Sequence, residues 1–161
     1  MVNPTHDAVR EATAADLPEI VSLINRAFDV ERFFKNADRT NPEQVRQMMA
    51  DGKFLLLTDA DQVVACVFVQ LRGDRCYVGT LAVDPSRQRS GLGGRLMREA
   101  ESYARAQRCK ALDIRIVNLR TELPGIYRKL GFVETGTQSA EAIKTATQPI
   151  HFITMSKLLS G

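Results

Sequence analysis

The 161-residue sequence has no tryptophan, only three cysteines and two histidines, and almost no excess charge of either sign. Each scarcity removes a class of chemistry. Cys66, Cys76 and Cys109 are widely spaced and form no Cys-x-x-Cys pair, so neither a disulfide framework nor a zinc site is expected, and they read as small buried hydrophobes. His6 lies in a polar N-terminal stretch and His151 enters a strand, which offers no metal cluster and no serine-hydrolase triad. The net charge of +3 comes from 22 basic and 19 acidic side chains, with no lysine or arginine run of the kind that forms nucleic-acid tails. The longest apolar run, Val63 to Val69, is far short of the ~20 residues that span a bilayer. The opening Met1-Val2-Asn3-Pro4-Thr5-His6-Asp7 lacks the basic segment and apolar core of a leader peptide. The expectation is a cytoplasmic protein with no metal, no nucleic-acid partner and no membrane association.

With 44% hydrophobic residues, the chain can build one compact domain over residues 1–161 and little else. Val9 to Ala12 reads as a short edge strand, and Thr13 with Asp16 three residues on resembles a capping box. Leu17, Ile20, Val21, Ile24 and Phe28 then form one helical stripe that ordinary core packing explains. From Asp29 to Thr40 the periodicity breaks, and a loop or broken helix is expected; of its Phe33 and Phe34, at least one should pack in the core. Asn41-Pro42 starts a second helix running to Ala50, near Gly52. Lys53 to Thr58 and Val63 to Leu71 are strand-like, and Arg72-Gly73-Asp74 turns into a strand from Cys76 to Val83, making an antiparallel meander. Residues 135–149 contain Gly136, Ser139, four threonines and Pro149, and read as a loop in which Ala140 to Ala146 could form a helical turn.

The most informative segment follows the Cys76 strand. Asp84-Pro85 leads to Gln88-Arg89-Ser90-Gly91-Leu92-Gly93-Gly94 and then to a helix reaching Gln107, with Leu92, Leu96, Ala100, Tyr103 and Ala104 at helical spacing. The glycines therefore stand at a helix N-terminus, where unpaired N–H groups and about half a unit of positive charge attract anions. Without a Cβ they also let a ligand approach the backbone closely. Arg87, Arg89, Arg95 and Arg98 crowd the same turn, where a polyanion would gain from them; a solvated helix face is the other reading, and the one that suits Arg98. A Walker A loop is excluded because Arg95 and Leu96 follow Gly93-Gly94 where Lys and Ser/Thr are required. A dinucleotide fingerprint needs a third glycine where Leu96 stands.

Gln88, Gly91 and Gly93 fit the pattern Gln/Arg-x-x-Gly-x-Gly/Ala, which resembles motif A of the GNAT superfamily of acyl-CoA-dependent N-acyltransferases. Downstream, Ala111 to Val117 reads as a buried strand with Leu112, Ile114 and Ile116 on one face. It leads through Asn118 to a short helix with Tyr127, then to Gly131-Phe132, and Tyr-x-x-x-Gly-Phe is similar to motif B of the same superfamily. The final strand, His151 to Lys157 with Met155, is similar to the superfamily's last strand. The resemblance implies an α/β (α+β) fold: a mixed, mostly antiparallel central sheet of about six or seven strands flanked by about four helices.

It also implies a site. The amides of Gln88, Arg89, Ser90, Gly91, Leu92, Gly93 and Gly94 would hold the pyrophosphate of acetyl-CoA, the co-substrate. The backbone of Leu81, Ala82 and Val83 would pair with the pantetheine arm like an added strand. Tyr127 would be the general acid, since a phenol near pKa ~10 stays protonated at neutral pH and can supply a thiolate leaving group. Asn118 matches a family position that touches the cofactor arm, although it stands farther from Tyr127 than is common; a strand-terminating turn residue is the other reading.

Many relatives carry a glutamate on the strand before motif A, whereas Tyr77-Val78-Gly79-Thr80-Leu81 has no carboxylate. Asp29, Glu31 and Glu122 are candidate bases by location, and surface solvation explains each equally well. Acceptor choice is expected from residues 29–40 and 135–149, with a small-molecule amine and a peptide or protein amine both open. Exposed sheet edges leave a homodimer open, though no stretch defines an interface. A non-catalytic acyl-CoA sensor and a plain interaction domain, with glycines serving turn geometry alone, are the rival readings.

Overall fold

The computed structural model describes residues 8–88 and 90–160. Seven strands form one sheet in the order β1-β2-β3-β4-β5-β7-β6. They are β1 (Ala8–Glu11), β2 (Lys53–Asp59), β3 (Gln62–Arg72), β4 (Arg75–Val83), β5 (Ala111–Val117), β6 (Val133–Ser139) and β7 (His151–Leu158). The helices are α1 (Leu17–Ala27), α2 (Pro42–Asp51), α3 (Leu92–Ala106) and α4 (Leu123–Lys129). All pairings are antiparallel except β4 with β5.

Strand alternation divides the core between the two sheet faces. On one, Leu96, Met97, Ala100 and Ala104 of α3 pack on Val67, Cys76, Val78, Leu112, Ile114 and Ile116. On the other, Ile20, Leu23 and Ile24 of α1 and Val45 of α2 pack on Phe54, Leu56, Cys66, Phe68 and Ala82. A small third cluster of Phe34, Val117, Ala140 and Phe152 ties the segment after α1 to β5 and β7. The three cysteines are buried and unpaired. The Thr13–Asp16 capping box forms around a short 3-10 turn, Ala14–Asp16, that leads into α1.

Two features open the sheet between β4 and β5. The strands pair only from Arg75 to Tyr77 against Ala111 to Asp113, although β4 continues to Val83 and β5 to Val117. The paired end is clamped: Arg75 donates to both Asp113 carboxylate oxygens at 2.7 and 2.6 Å, and the Ser156 hydroxyl donates to Asp113 at 2.5 Å. The open end begins at a bulge, where the β3–β4 register shifts between Cys66 and Phe68, partnered by Ala82 and Gly79. The extra residue lies on β4, and Thr80 beside it takes a left-handed φ of 51°. Such a bulge bends its strand and strengthens its twist. A Cβ on Gly79 would fall 2.7 Å from the Tyr77 hydroxyl, so glycine leaves room for that ring to lie over the strand.

One stretch differs from expectation. Residues 135–149 are not a continuous loop, because β6 extends to Ser139, and 140–146 form turns and an isolated bridge from Ala146 to Lys35 instead of a helical turn. All seven β6 residues are exposed, since this edge strand pairs with β7 alone, so it carries no apolar pattern for the sequence to reveal. The 29–40 segment is a broken helix as expected: a 3-10 stretch, Asp29–Phe33, followed by irregular chain. In it Phe34 is fully buried and Phe33 exposed.

Candidate active site

The gap between β4 and β5 opens into a cavity of about 670 Å³. Its walls come from both faces of the sheet. Leu92, Met97 and Tyr127 border it on the α3 side, and Phe28, Glu31 and Arg39 on the α1 side.

At the α3 end the chain leaves β4 through Asp84, whose carboxylate accepts from the Ser86 amide at 3.0 Å, and climbs to Gly91. Gly91 caps α3 with φ 83°, a left-handed conformation that favours glycine. The Arg95 amide makes the bond to the Gly91 carbonyl at 3.1 Å, so the amides of Leu92, Gly93 and Gly94 precede the helical ladder at the positive end of a 15-residue helix. A Cβ on Gly93 would lie 3.7 Å from the Leu81 side chain and 3.8 Å from that of Val83, which sets the start of α3 against these two β4 side chains.

Gln88, Gly91, Leu92, Gly93 and Gly94 all line the cavity. Ser90 does not; its hydroxyl donates to the Arg87 carbonyl. Arg89 lies outside the described residues. Leu81 and Val83 line the cavity, whereas the Ala82 side chain is buried in the α1–α2 core. Because β5 no longer pairs with it here, the β4 main chain from Val78 onward has no strand partner on the side facing the gap among the described residues.

Tyr127 reaches the cavity from α4. The helix ends in a Schellman motif: the Phe132 amide donates to the Tyr127 carbonyl at 3.1 Å, the Gly131 amide donates to Arg128 at 3.0 Å, and Gly131 has φ 100°. Burial pushes the Tyr127 phenol up to about 12, with the positive charge of Arg120 opposing the shift. The hydroxyl makes no hydrogen bond to a described residue, and so it is available to a ligand.

On the α1 side, buried Glu31 accepts from Lys35 at 2.7 Å and from Arg120 at 2.9 Å. Arg120 also donates to Glu122 at 3.1 Å. Burial, and then the charge of Arg39, push the Lys35 amine below its ordinary range. Glu31 and Glu122 line the cavity and Asp29 does not, being exposed and paired with Arg32. Asn118 is also outside the lining; its side-chain oxygen accepts from the His151 amide at 2.9 Å, fastening the end of β5 to β7.

Sequence reasoning missed Tyr77, Arg115 and Arg120, which border the cavity, as does Arg39 of the 29–40 segment expected to shape acceptor choice. Arg115 left a signal, a charge between Ile114 and Ile116 in a strand otherwise read as buried. Among the described residues no cluster of His, Cys, Asp or Glu could hold a metal ion, and no helix is long and apolar enough to cross a membrane.

Comparison with known proteins shows the family and the fold. The family model of the acetyltransferase (GNAT) domain matches residues 19–159. A curated relative, glucosamine 6-phosphate N-acetyltransferase 1 of Oryza sativa subsp. japonica, is 28% identical over 140 residues, covering 81% of this chain and 83% of the relative. Among solved structures, the ribosomal-protein-S18-alanine N-acetyltransferase of Escherichia coli superposes with a TM-score of 0.78 at 18% identity, over 96% of each chain. A GNAT family acetyltransferase of Elizabethkingia anophelis with acetyl-CoA bound gives 0.77 at 18% identity, over 96% of this chain and 99% of the other. With most of its length matched by the family model and the fold shared, the chain belongs to the GNAT family of acetyl-CoA-dependent N-acetyltransferases.

Proposed function

We propose that the chain moves an acetyl group from acetyl-CoA to a primary amine by direct transfer in a ternary complex. The observation that carries this reading is the cavity itself, a single gap in the sheet joining the open amides of α3 to the Tyr127 hydroxyl and on to a charged chamber beyond. The amides around Gln88 to Gly94 hold the pyrophosphate of the donor, and the free edge of Leu81 to Val83 pairs with its pantetheine arm as an added strand would. The amine nitrogen attacks the thioester carbonyl from the α1 side, the C–S bond breaks, nitrogen loses a proton and sulfur gains one. A β4 amide facing the gap stabilises the oxygen as charge develops on it.

Tyr127 is the general acid. At about 12 its phenol is protonated throughout the neutral range. Because burial raises the phenol above its ordinary value, complete transfer to a thiolate is uphill, so donation is coupled to loss of the nitrogen's own proton. No carboxylate on β4 is present to take that proton. The positive charges of Arg39 and Arg115 lining the chamber favour the neutral form of an amine there, which reduces the demand on a base.

Turnover with a Tyr127→Phe variant tests the assignment. Acetyl-CoA binding is retained and thiol release from acceptor-saturated enzyme falls ~100-fold, within the range for general acid catalysis. An unchanged rate would remove Tyr127 from the chemistry. Acetyl-CoA binding with no thiol release from any amine would favour a sensor instead.

A further inference from the structure

The chamber on the α1 side holds five charged side chains in its lining: Glu31, Arg39, Arg115, Arg120 and Glu122. Three of them satisfy one another, since Arg120 donates to both Glu31 and Glu122, and Glu31 also takes Lys35. Arg39 and Arg115 are different. Neither has a carboxylate partner among the described residues, and each lies within cation–π distance of an aromatic ring. The Arg39 guanidinium carbon lies 4.7 Å from the Phe28 ring centre. That of Arg115 lies 4.3 Å from Phe152 and 5.9 Å from Tyr77.

A guanidinium held against a ring without a carboxylate partner keeps its N–H donors for a ligand, and its planar fork suits a carboxylate or phosphate through paired hydrogen bonds. The rings Phe28, Tyr77 and Phe152 are themselves cavity lining, so both forks are presented within the chamber. Neither arginine is consumed by the donor's phosphates: that turn has Gly91 to Gly94 and lies on the other face of the sheet, with Leu92 in the α3 core.

We infer that Arg39 and Arg115 are specificity residues that bind an anionic group of the acceptor, so that the enzyme prefers small amines carrying a carboxylate or phosphate over neutral amines and polypeptide N-termini. This rests on the acetyltransferase reading above. Two unpaired arginines attract an anion from solution and disfavour a second cation. The paired Glu31 and Glu122 leave little carboxylate free to hold a polycationic acceptor. The two anion sources share one chemistry, and matched substrates separate them.

The test is thiol release from acetyl-CoA with matched acceptors: an L-amino acid against its amide, glucosamine 6-phosphate against glucosamine, and a short peptide with an amidated C-terminus. Calorimetry with acetyl-CoA runs beside it. The expected result is kcat/KM at least ~10-fold higher for one anionic member than for its neutral partner; whichever pair shows it identifies carboxylate or phosphate. In Arg39→Gln and Arg115→Gln that preference shrinks by ~10- to 100-fold, mainly through KM, the scale of a charged hydrogen-bonded pair. Donor affinity measured by calorimetry stays at the wild-type value, which also shows that each variant is folded. Arg115→Lys restores only part of the preference, because an ammonium lacks the planar fork. Neutral amines or the amidated peptide used as well as, or better than, the anionic acceptors would overturn the inference, as would a preference that survives both Gln variants. Failure of the wild type to bind acetyl-CoA would instead remove the underlying enzyme reading.

Discussion

Phe132 donates its backbone N–H to the carbonyl of Tyr127 at 3.1 Å while the two rings meet edge to face with centroids 5.7 Å apart. The proposed acid and the residue that ends its helix are thus one unit. Phe132 is buried in the α3-side core, so its ring anchors Tyr127 at the mouth of the sheet gap. The Tyr-x-x-x-Gly-Phe spacing has a mechanical reason: the first and last residues are the C3 and C″ positions of a Schellman motif, and glycine stands at the left-handed position between them.

Gly131→Ala should therefore damage stability and rate together. Alanine must adopt φ 100°, and its Cβ would lie 3.0 Å from Lys157 Cε. We expect a loss of ~1–2 kcal/mol in urea unfolding and a fall in kcat larger than the change in acetyl-CoA affinity. Wild-type kcat in the variant would show that the motif does not position Tyr127.

Thr80 and Gly91 make opposite predictions about glycine. Thr80 holds φ 51° with a β-branched side chain, and Thr80→Gly should stabilise by up to ~1 kcal/mol as that strain is released. Gly91 holds φ 83° with open space where a Cβ would stand, nothing lying within 4 Å, so Gly91→Ala should cost about 1 kcal/mol from backbone strain alone. Chemical denaturation of both variants checks the pair; a destabilising Thr80→Gly would mean that the bulge is not strained.

Asp16 predicts the acid limb of stability. Its hydrogen bonds from Arg10, at 2.8 Å to each oxygen, and from the Thr13 amide at 2.7 Å hold the carboxyl at about 2, against the opposing effect of burial. The folded pKa lies below the unfolded value, so the stabilisation is fully present above pH ~4 and is lost as pH falls through about 2. Arg10 is half exposed, which limits the contribution to ~1–2 kcal/mol. Asp16→Asn should lower stability at pH 7 and flatten its pH dependence between 4 and 2; identical slopes for the two proteins would refute the assignment.

Legibility in the sequence follows the physics of each element. The amphipathic α1 and α3 and the alternating β5 announce themselves because one face of each is buried. The Gly91 turn and the Tyr127–Phe132 spacing are readable because both are local, set by left-handed glycines a few residues from the groups they position. β6 is hidden because all of its residues are exposed, which leaves no apolar alternation. The bulge at Thr80 is hidden too, as a threonine there looks like ordinary strand. The chamber charges are the least legible: Arg39 and the pair Arg115 and Arg120 come from two distant stretches that border one cavity only because β4 and β5 part. No local pattern encodes such a meeting.

The most direct test of the central claim is calorimetric titration with acetyl-CoA of the wild type and of Gly91→Glu, which sets a carboxylate beside the open amides of α3. The account predicts micromolar binding by the wild type, weakened at least ~100-fold by a variant that still unfolds cooperatively. Equal binding by the two proteins, or none by a folded wild type, would contradict a donor site built on this turn.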